Sequence, residues 1–159
     1  DGFDLGNSPF EYTPQVVAGR DIVMTTTNGT QAAEAAKRAH EMIVAGFINV
    51  SAAARYLRAQ DRPVVILCAG TKRRCALEDA VCAGMLADKL DQTQICDFTR
   101  LCREVYRAHK ADLADFLQTS AHAQNLIKKG FARDLQRAFT ADVSNVVPRR
   151  DARGALVAY

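Results

Sequence analysis

The sequence has few of the features that mark specialised classes of protein. Its 159 residues contain no tryptophan, only four prolines and only nine glycines, so nothing in the composition is typical of a fibrous or disordered chain. No apolar run approaches the roughly 18 residues that cross a bilayer, and no secretory leader is recognisable. We therefore expect a cytoplasmic protein that is not bound to a membrane.

Cysteine pairing motifs and a strong charge imbalance are also lacking. The five cysteines include no C-x-x-C pair, which disfavours both a disulfide framework and a zinc knuckle and favours a reducing environment. Lysine and arginine together number 21 against 18 acidic residues, giving a net charge of +3. The short basic runs at 72–74 and 149–150 are typical of a solvated surface. We expect no nucleic-acid partner.

What the sequence does have is an alternation of short apolar segments with helical ones. The pattern predicts strands at 22–26, 42–48 and 64–68 and helices at 29–40, 50–59 and 76–90. Strands that alternate with helices indicate β-α-β units and a parallel sheet. The first part of the chain is therefore predicted to adopt a three-layer Rossmann-like α/β fold, with a parallel or mixed sheet and helices on both faces.

The apolar period changes after Thr93. Leu101, Val105, Leu126 and Phe131 recur at helical spacing, which predicts two or three further helices and hence a helical C-terminal part. Short closing strands are predicted at 145–148 and 155–157. With 48% hydrophobic residues, residues 1–159 are long enough to form a single α/β domain.

Polar turns follow each of the three predicted strands, and such strand ends are where ligands bind in open parallel sheets. The first turn comprises Thr26, Thr27, Asn28, Gly29 and Thr30, the second runs from Gly46 to Asn49, and the third runs from Cys68 through Gly70 and Thr71 to Lys72. Hydroxyls, amides and glycine backbone at one edge predict a pocket for a small anionic substrate. Helix capping by Asn49 or Thr30 and relief of strain by Gly70 are the structural alternatives.

Adjacent carboxylates open the predicted helix after the third turn. Glu78 and Asp79 are the kind of ligand with which Mg²⁺ supplements water and phosphate oxygens. Acidic residues in a first turn also stabilise the helix dipole by a few tenths of a kcal/mol. The sequence alone leaves both interpretations open.

A cysteine nucleophile is a weaker hypothesis. Cys68 and Arg74 match the C-x₅-R pattern of cysteine phosphatases, but five cysteines and fifteen arginines make a chance match common. Cys68 also suits a small apolar strand position. The three histidines, His40, His109 and His122, have no metal-ligand spacing.

Several of these motifs, in this order, resemble the 2-phosphosulfolactate phosphatase family. The resemblance rests on the opening Gly-Phe-Asp-Leu-Gly-Asn-Ser-Pro at 2–9, Thr-Thr-Asn-Gly-Thr at 26–30, Gly-Phe-Ile-Asn at 46–49, Ala-Gly-Thr at 69–71, Leu-Glu-Asp at 77–79, Ser-Ala-His at 120–122, Gly130 with Asp134, and Val-Pro at 147–148. It covers nearly the whole chain. It implies Mg²⁺-dependent removal of phosphate from 2-phosphosulfolactate, giving sulfolactate on the route to coenzyme M or related sulfonates.

The resemblance also assigns roles to individual residues. Asn28, Thr30, Glu78 and Asp79 become the expected catalytic residues, with Glu78 and Asp79 also holding the metal. The expected substrate-binding residues are Asn7, Ser8, Thr26, Thr27, Gly29, Asn49, Gly70, Thr71 and Lys72.

The chain departs from the family pattern in three places. Arg73 stands where glycine is frequent, and Cys75-Ala76 replaces a common Phe-Ser pair. Family members also carry a further N-terminal region, so the chain is expected to be the C-terminal portion of a longer two-lobed phosphatase that forms homo-oligomers. A non-catalytic anion-binding module, or a diverged phosphatase for another phosphorylated hydroxyacid, is the alternative.

Overall fold

The computed structural model describes residues 2–159, and helices make up most of its regular structure. The helices are α1 (Pro14–Val17), α2 (Gly29–Ala35), α3 (Val50–Ala59), α4 (Leu77–Leu90), α5 (Asp97–His109), α6 (Leu113–Gln118), α7 (Ala121–Lys128) and α8 (Ala132–Ala138), with 3₁₀ turns at Pro9–Glu11 and Phe47–Asn49. The strands β1 (Arg149–Arg150) and β2 (Leu156–Val157) pair antiparallel. Within this described range, no helix has both the length and the hydropathy needed to cross a membrane.

The longest helix, α4, follows directly from its sequence. It contains three alanines, three leucines and one methionine, which are strong helix formers. Glu78 and Asp79 lie in its first turn and Lys89 in its last, so charges of both signs complement the helix dipole. The helix ends at Asp91, whose left-handed φ of 54° stops further helical bonding.

The hydrophobic core joins the middle of the chain to its C-terminal helices. Val50 of α3, Val81 of α4 and Leu117 of α6 are completely or almost completely buried. The rings of Phe47 and Phe139 meet edge to face with centroids 6.2 Å apart, an arrangement that adds to the free energy gained from burial. This packing fixes the position of α4 and hence the backbone of its first turn, which carries Glu78 and Asp79.

Helices α4 and α5 approach so closely at Gly84 that a side chain has no room there. A Cβ atom built on Gly84 would lie 2.1 Å from the backbone carbonyl oxygen of Cys102. We expect Gly84→Ala to lower the free energy of unfolding by about 3 kcal/mol, because the two helices must separate to admit the methyl group. Urea denaturation checks this expectation. Gly46→Ala is the matched control, since no atom lies within 4 Å of its added Cβ, and equal unfolding midpoints for both variants would contradict the close approach.

The predicted Rossmann-like sheet is wrong. The sheet among residues 2–159 is the two-stranded antiparallel pair of β1 and β2, and the apolar segments at 22–26, 42–48 and 64–68 form no ladder of parallel strands. A strand must satisfy its backbone N–H and C=O groups on a neighbour, and apolar composition alone does not supply one. The side chains of Val23 and Val65 are accordingly 92% and 89% exposed.

The second of these segments does make a short contact with the C-terminal region. Ile43 bridges to Arg149 in antiparallel sense, and the amide of Val44 donates to the carbonyl of Pro148 at 2.8 Å. The strand predicted at 155–157 is confirmed by β2, whereas the one predicted at 145–148 is wrong, since the strand there is β1 at Arg149–Arg150. The helix predicted at 29–40 ends at Ala35, whereas the prediction for 50–59 is confirmed.

Candidate functional site

The first and third polar turns meet directly. The side-chain oxygen Oδ1 of Asn28 accepts a hydrogen bond from the backbone amide of Lys72 at 3.2 Å. Forty-four residues separate the two in sequence, so this bond joins two otherwise independent loops. Asn28 thereby sets the position of the third turn relative to the start of α2.

The first turn is also held from within. The Thr30 amide donates to Oγ1 of Thr26 at 3.2 Å, and the Thr30 hydroxyl donates to the Thr26 carbonyl at 2.7 Å. These two bonds, both donated by Thr30 to Thr26, fix the approach of the chain to α2, as a side-chain cap does. Thr27, between them in sequence, is exposed.

The third turn is a two-residue hairpin with unfavourable backbone angles. Thr71 and Arg74 exchange two amide-to-carbonyl hydrogen bonds of 3.0 Å, while Lys72 and Arg73 between them have φ values of 51° and 60°. Left-handed angles cost a residue with a Cβ about 1–2 kcal/mol. The turn therefore places two cationic side chains where glycine or asparagine is the usual choice.

Gly70 precedes the hairpin and has no room for a side chain. Its φ is 69°, and an added Cβ would lie 2.5 Å from the carbonyl oxygen of Arg74. Its own amide donates to Oδ2 of Asp79 at 2.5 Å. A carboxylate in the first turn of α4 thus fixes the third turn against that helix.

The neighbouring carboxylate has a different environment. Oε2 of Glu78 is buried and has no hydrogen-bond partner within residues 2–159. An unsatisfied buried oxygen of a carboxylate is costly, so this atom is one for which a ligand would supply a missing interaction.

A groove of about 810 Å³ brings these parts together. Its lining includes Gly29 from the first turn, Gly46 from the second, Ala69 from the third, and both Glu78 and Asp79. Small-molecule sites generally occupy roughly 300–1,000 Å³. One or two residues from each turn and the two carboxylates therefore share one concave surface of the size of a ligand site. The other predicted residues of the first and third turns lie outside its lining, namely Thr26, Thr27, Asn28, Thr30, Gly70, Thr71 and Lys72.

Some predicted site residues lie elsewhere. Asn49 is buried, and its amide group is used by backbone: Oδ1 accepts from the Gly46 amide at 2.8 Å, and Nδ2 donates to the carbonyls of Val44 at 3.1 Å and Val146 at 2.9 Å. Asn49 thus shapes the second turn without presenting its side chain to the groove. Asn7 and Ser8 lie near the 3₁₀ turn Pro9–Glu11, outside the lining of the groove.

Comparison with known proteins supplies the context for this groove. The sequence model of the family described as 2-phosphosulpholactate phosphatase matches residues 1–152. The chain belongs to the 2-phosphosulfolactate phosphatase family. The match covers the three turns and the paired carboxylates alike.

Individual relatives in this family are similar over most of the chain. A probable 2-phosphosulfolactate phosphatase of Thermotoga petrophila is 38% identical over 147 residues, covering 92% of the chain and 64% of the relative. One from Symbiobacterium thermophilum is 40% identical over 138 residues, covering 84% and 59%. One from Synechocystis sp. is 34% identical over 164 residues, covering 99% and 68%. The chain thus spans about two thirds of the length of the curated relatives that it matches.

The two carboxylates that line the groove suit a metal ion that keeps most of its coordinated water molecules. No group of three histidine, cysteine or acidic side chains placed to hold a metal occurs in the described part of the chain. A structural zinc site, which needs about four protein ligands, is not supported by that donor set. The unsatisfied oxygen of Glu78 in a groove that Asp79 also lines fits Mg²⁺, which needs only one or two carboxylates.

The cysteines of the groove are poor nucleophiles. Burial, with a smaller contribution from Asp79, raises the pKa of Cys68 to about 11. Burial likewise raises the pKa of Cys82 to about 12. Both thiols stay protonated at neutral pH, whereas a cysteine phosphatase needs a thiolate.

Sequence reasoning missed two residues that line the groove. His40 follows α2, and Cys82 lies one turn beyond Glu78 on α4. The sequence spacing of His40 matches no metal motif and therefore gives this residue no role. Its place in the groove depends on where α2 ends, and the predicted helix of 29–40 extended past that point.

Proposed function

We propose that this protein hydrolyses the phosphate monoester of 2-phosphosulfolactate, giving sulfolactate and inorganic phosphate, with Mg²⁺ as cofactor. The observation that supports the proposal best is that Asn28 joins the first turn to the third and Asp79 joins the third turn to α4, at the edge of a groove lined by Glu78 and Asp79. The family match over residues 1–152 supports this choice of substrate. We propose in addition that the product serves the synthesis of coenzyme M or a related sulfonate.

The substrate is small and carries a phosphate, a sulfonate and a carboxylate. The donors proposed to bind these groups are the backbone amides of Asn28 and Gly29, the Nδ2 group of Asn28 and the hydroxyl of Thr71. The amides of Thr30, Gly70, Thr71 and Lys72 are used within and between the turns and hold these donors in place. Lys72 adds a positive charge beside the joined turns. Such binding orients the phosphoryl group before reaction, which lowers the entropic part of the barrier.

Glu78 and Asp79 are proposed to hold the metal. Mg²⁺ bound there would neutralise charge on the phosphoryl oxygens and lower the pKa of a bound water. In the hydrolysis, water oxygen forms a bond to phosphorus, the ester P–O bond breaks, and the departing alkoxide takes up a proton. Asp79 keeps its acceptor oxygen on the Gly70 amide and so holds the third turn in register with the carboxylates throughout.

The test separates this mechanism from a cysteine-dependent one. Cys68→Ser is expected to retain phosphate release within about threefold, because the pKa of about 11 already keeps the thiol out of nucleophilic chemistry. EDTA is expected to abolish release, and added Mg²⁺ to restore it. Phosphate release from 2-phosphosulfolactate is measured for the parent and the variant. An inactive Cys68→Ser variant together with EDTA-resistant parent activity would overturn the proposal.

We also propose that the working protein covers its exposed apolar segments. Ile22, Val23 and Met24 are at least half exposed, as are Val65 and Leu67, and exposed apolar patches of this kind mark contact surfaces or drive aggregation. The isolated chain of residues 1–159 is therefore expected to self-associate. Light scattering across a concentration series measures this, and a monomer at every concentration would contradict it.

A further inference from the structure

A second concave surface lies between the end of α2 and the β1–β2 hairpin. We call it the basic cleft; its volume is about 640 Å³. It contains none of the three polar turns and neither carboxylate of α4. Its lining consists of Lys37, Arg38, Ala39, His40, Glu41, Met42, Arg150, Asp151, Ala152, Arg153 and Gly154.

Most of the charges around the basic cleft have partners outside it or within its own turn. Lys37 forms an ion pair with Glu34 on α2. Arg153 pairs with Asp151 at 3.0 Å, and Asp151 also accepts from the Ala155 amide at 2.9 Å. These groups fix the walls of the cleft, and their charges cancel in pairs.

The acidic residue on the opposite wall is engaged as well. Glu41 accepts a hydrogen bond from the Tyr56 hydroxyl and lies 3.6 Å from Arg149. Its negative charge is therefore balanced by Arg149 and the Tyr56 hydroxyl, neither of which lines the basic cleft. It does not compensate the cations of the basic cleft.

Two guanidinium groups are left without a counter-ion. Arg150 donates to the backbone carbonyl of Lys37, a neutral acceptor that leaves the positive charge in place. Arg38 is exposed and makes no hydrogen bond or ion pair with any side chain within residues 2–159. Guanidinium groups recognise phosphate and carboxylate through paired N–H donors. The basic cleft therefore offers two positive charges without counter-ions in the described part of the chain, with all donors of Arg38 free and those of Arg150 that are not used on the Lys37 carbonyl.

We propose that the basic cleft binds a small ligand that carries two anionic groups, one on Arg38 and one on Arg150. The volume of the cleft lies within the range of small-molecule sites. A phosphate or carboxylate on each guanidinium would compensate the two free charges. The basic cleft adjoins the groove of the proposed phosphatase reaction along a shared wall of Ala39, His40, Glu41 and Met42, but Arg38 and Arg150 line the basic cleft and not the groove.

Equilibrium dialysis with inorganic pyrophosphate, at fixed ionic strength, tests the site. Arg38→Gln is expected to weaken binding at least tenfold, and Arg38→Lys by less, because lysine keeps the charge but loses the paired donors. Arg38 makes no structural contact of its own, so its loss should leave the fold intact. Arg150→Gln is expected to weaken binding to a similar degree.

Two control variants give the experiment its specificity. Arg100→Gln removes an exposed arginine of α5 that lies outside the basic cleft, and Asn28→Ala alters the other groove; both are expected to bind pyrophosphate as the parent does. The inference is overturned if Arg38→Gln binds like the parent, if Arg100→Gln is weakened equally, or if Asn28→Ala is the variant that loses binding.

Discussion

Asn28→Ala is expected to lower kcat/KM for phosphate release from 2-phosphosulfolactate at least tenfold, a loss of about 1.4 kcal/mol of transition-state stabilisation. Its Oδ1 atom accepts from the Lys72 amide across the gap between two turns. Without that acceptor the third turn loses its link to the first, and the donors proposed to bind the substrate separate. Steady-state kinetics in the presence of Mg²⁺ measure the effect.

Two further variants, Asn28→Asp and Asn125→Ala, distinguish a loss of positioning within the site from a general loss of folded protein. Asn28→Asp keeps an acceptor oxygen for the Lys72 amide but adds a negative charge beside an anionic substrate, so KM is expected to rise more than kcat falls. Asn125→Ala removes an exposed asparagine of α7 and should leave both constants unchanged. Parent kinetics in Asn28→Ala would remove Asn28 from the site.

Asp79→Asn is expected to have the larger effect, a fall in kcat/KM of about a hundredfold, or roughly 2.7 kcal/mol. The substitution keeps an oxygen that can accept from the Gly70 amide, so the third turn stays in place while the negative charge is lost. The Mg²⁺ concentration that gives half-maximal activity should rise at least tenfold, because a metal ligand has been neutralised.

The alternative role of Asp79 is to stabilise α4 through its helix dipole. Asp115→Asn is the matched control for that role, because it removes a first-turn charge from another helix. Asp115 is exposed in the first turn of α6, where its charge has the same relation to a helix but no groove beside it. Both substitutions should lower the free energy of unfolding by a similar amount, about 0.3–1 kcal/mol. An unchanged Mg²⁺ requirement in Asp79→Asn would leave only the structural role.

Helix positions were predictable where the apolar period and the terminal residues agree. The predicted helix of 76–90 corresponds to α4 within one residue, because acidic residues open it and Asp91 ends it in a left-handed conformation. The predicted helix of 29–40 is too long. Its alanines favour a helix, but the chain turns after Ala35 into the segment that contacts the C-terminal hairpin.

The sheet was not predictable from the same sequence because strands depend on partners rather than on their own composition. Val64 to Leu67 has a typical strand composition, yet Val65 is almost fully exposed. The turns of the candidate site were predictable, but the contacts between them were not. The hydrogen bond between Asn28 and Lys72 and the one between Gly70 and Asp79 link turns that the sequence singled out for their chemistry, although no pattern in it gave the pairing.

The unsatisfied oxygen of Glu78 has a consequence for protein engineering. A buried carboxylate oxygen without a partner makes the free fold less stable than an apolar side chain of similar size would, since natural sites commonly sacrifice stability for function. Selection of variants for heat resistance alone would favour the loss of this carboxylate. Because Glu78 is proposed to hold the metal, we expect the most heat-resistant variants from such a selection to have lost activity, so a heat challenge should be paired with an activity screen.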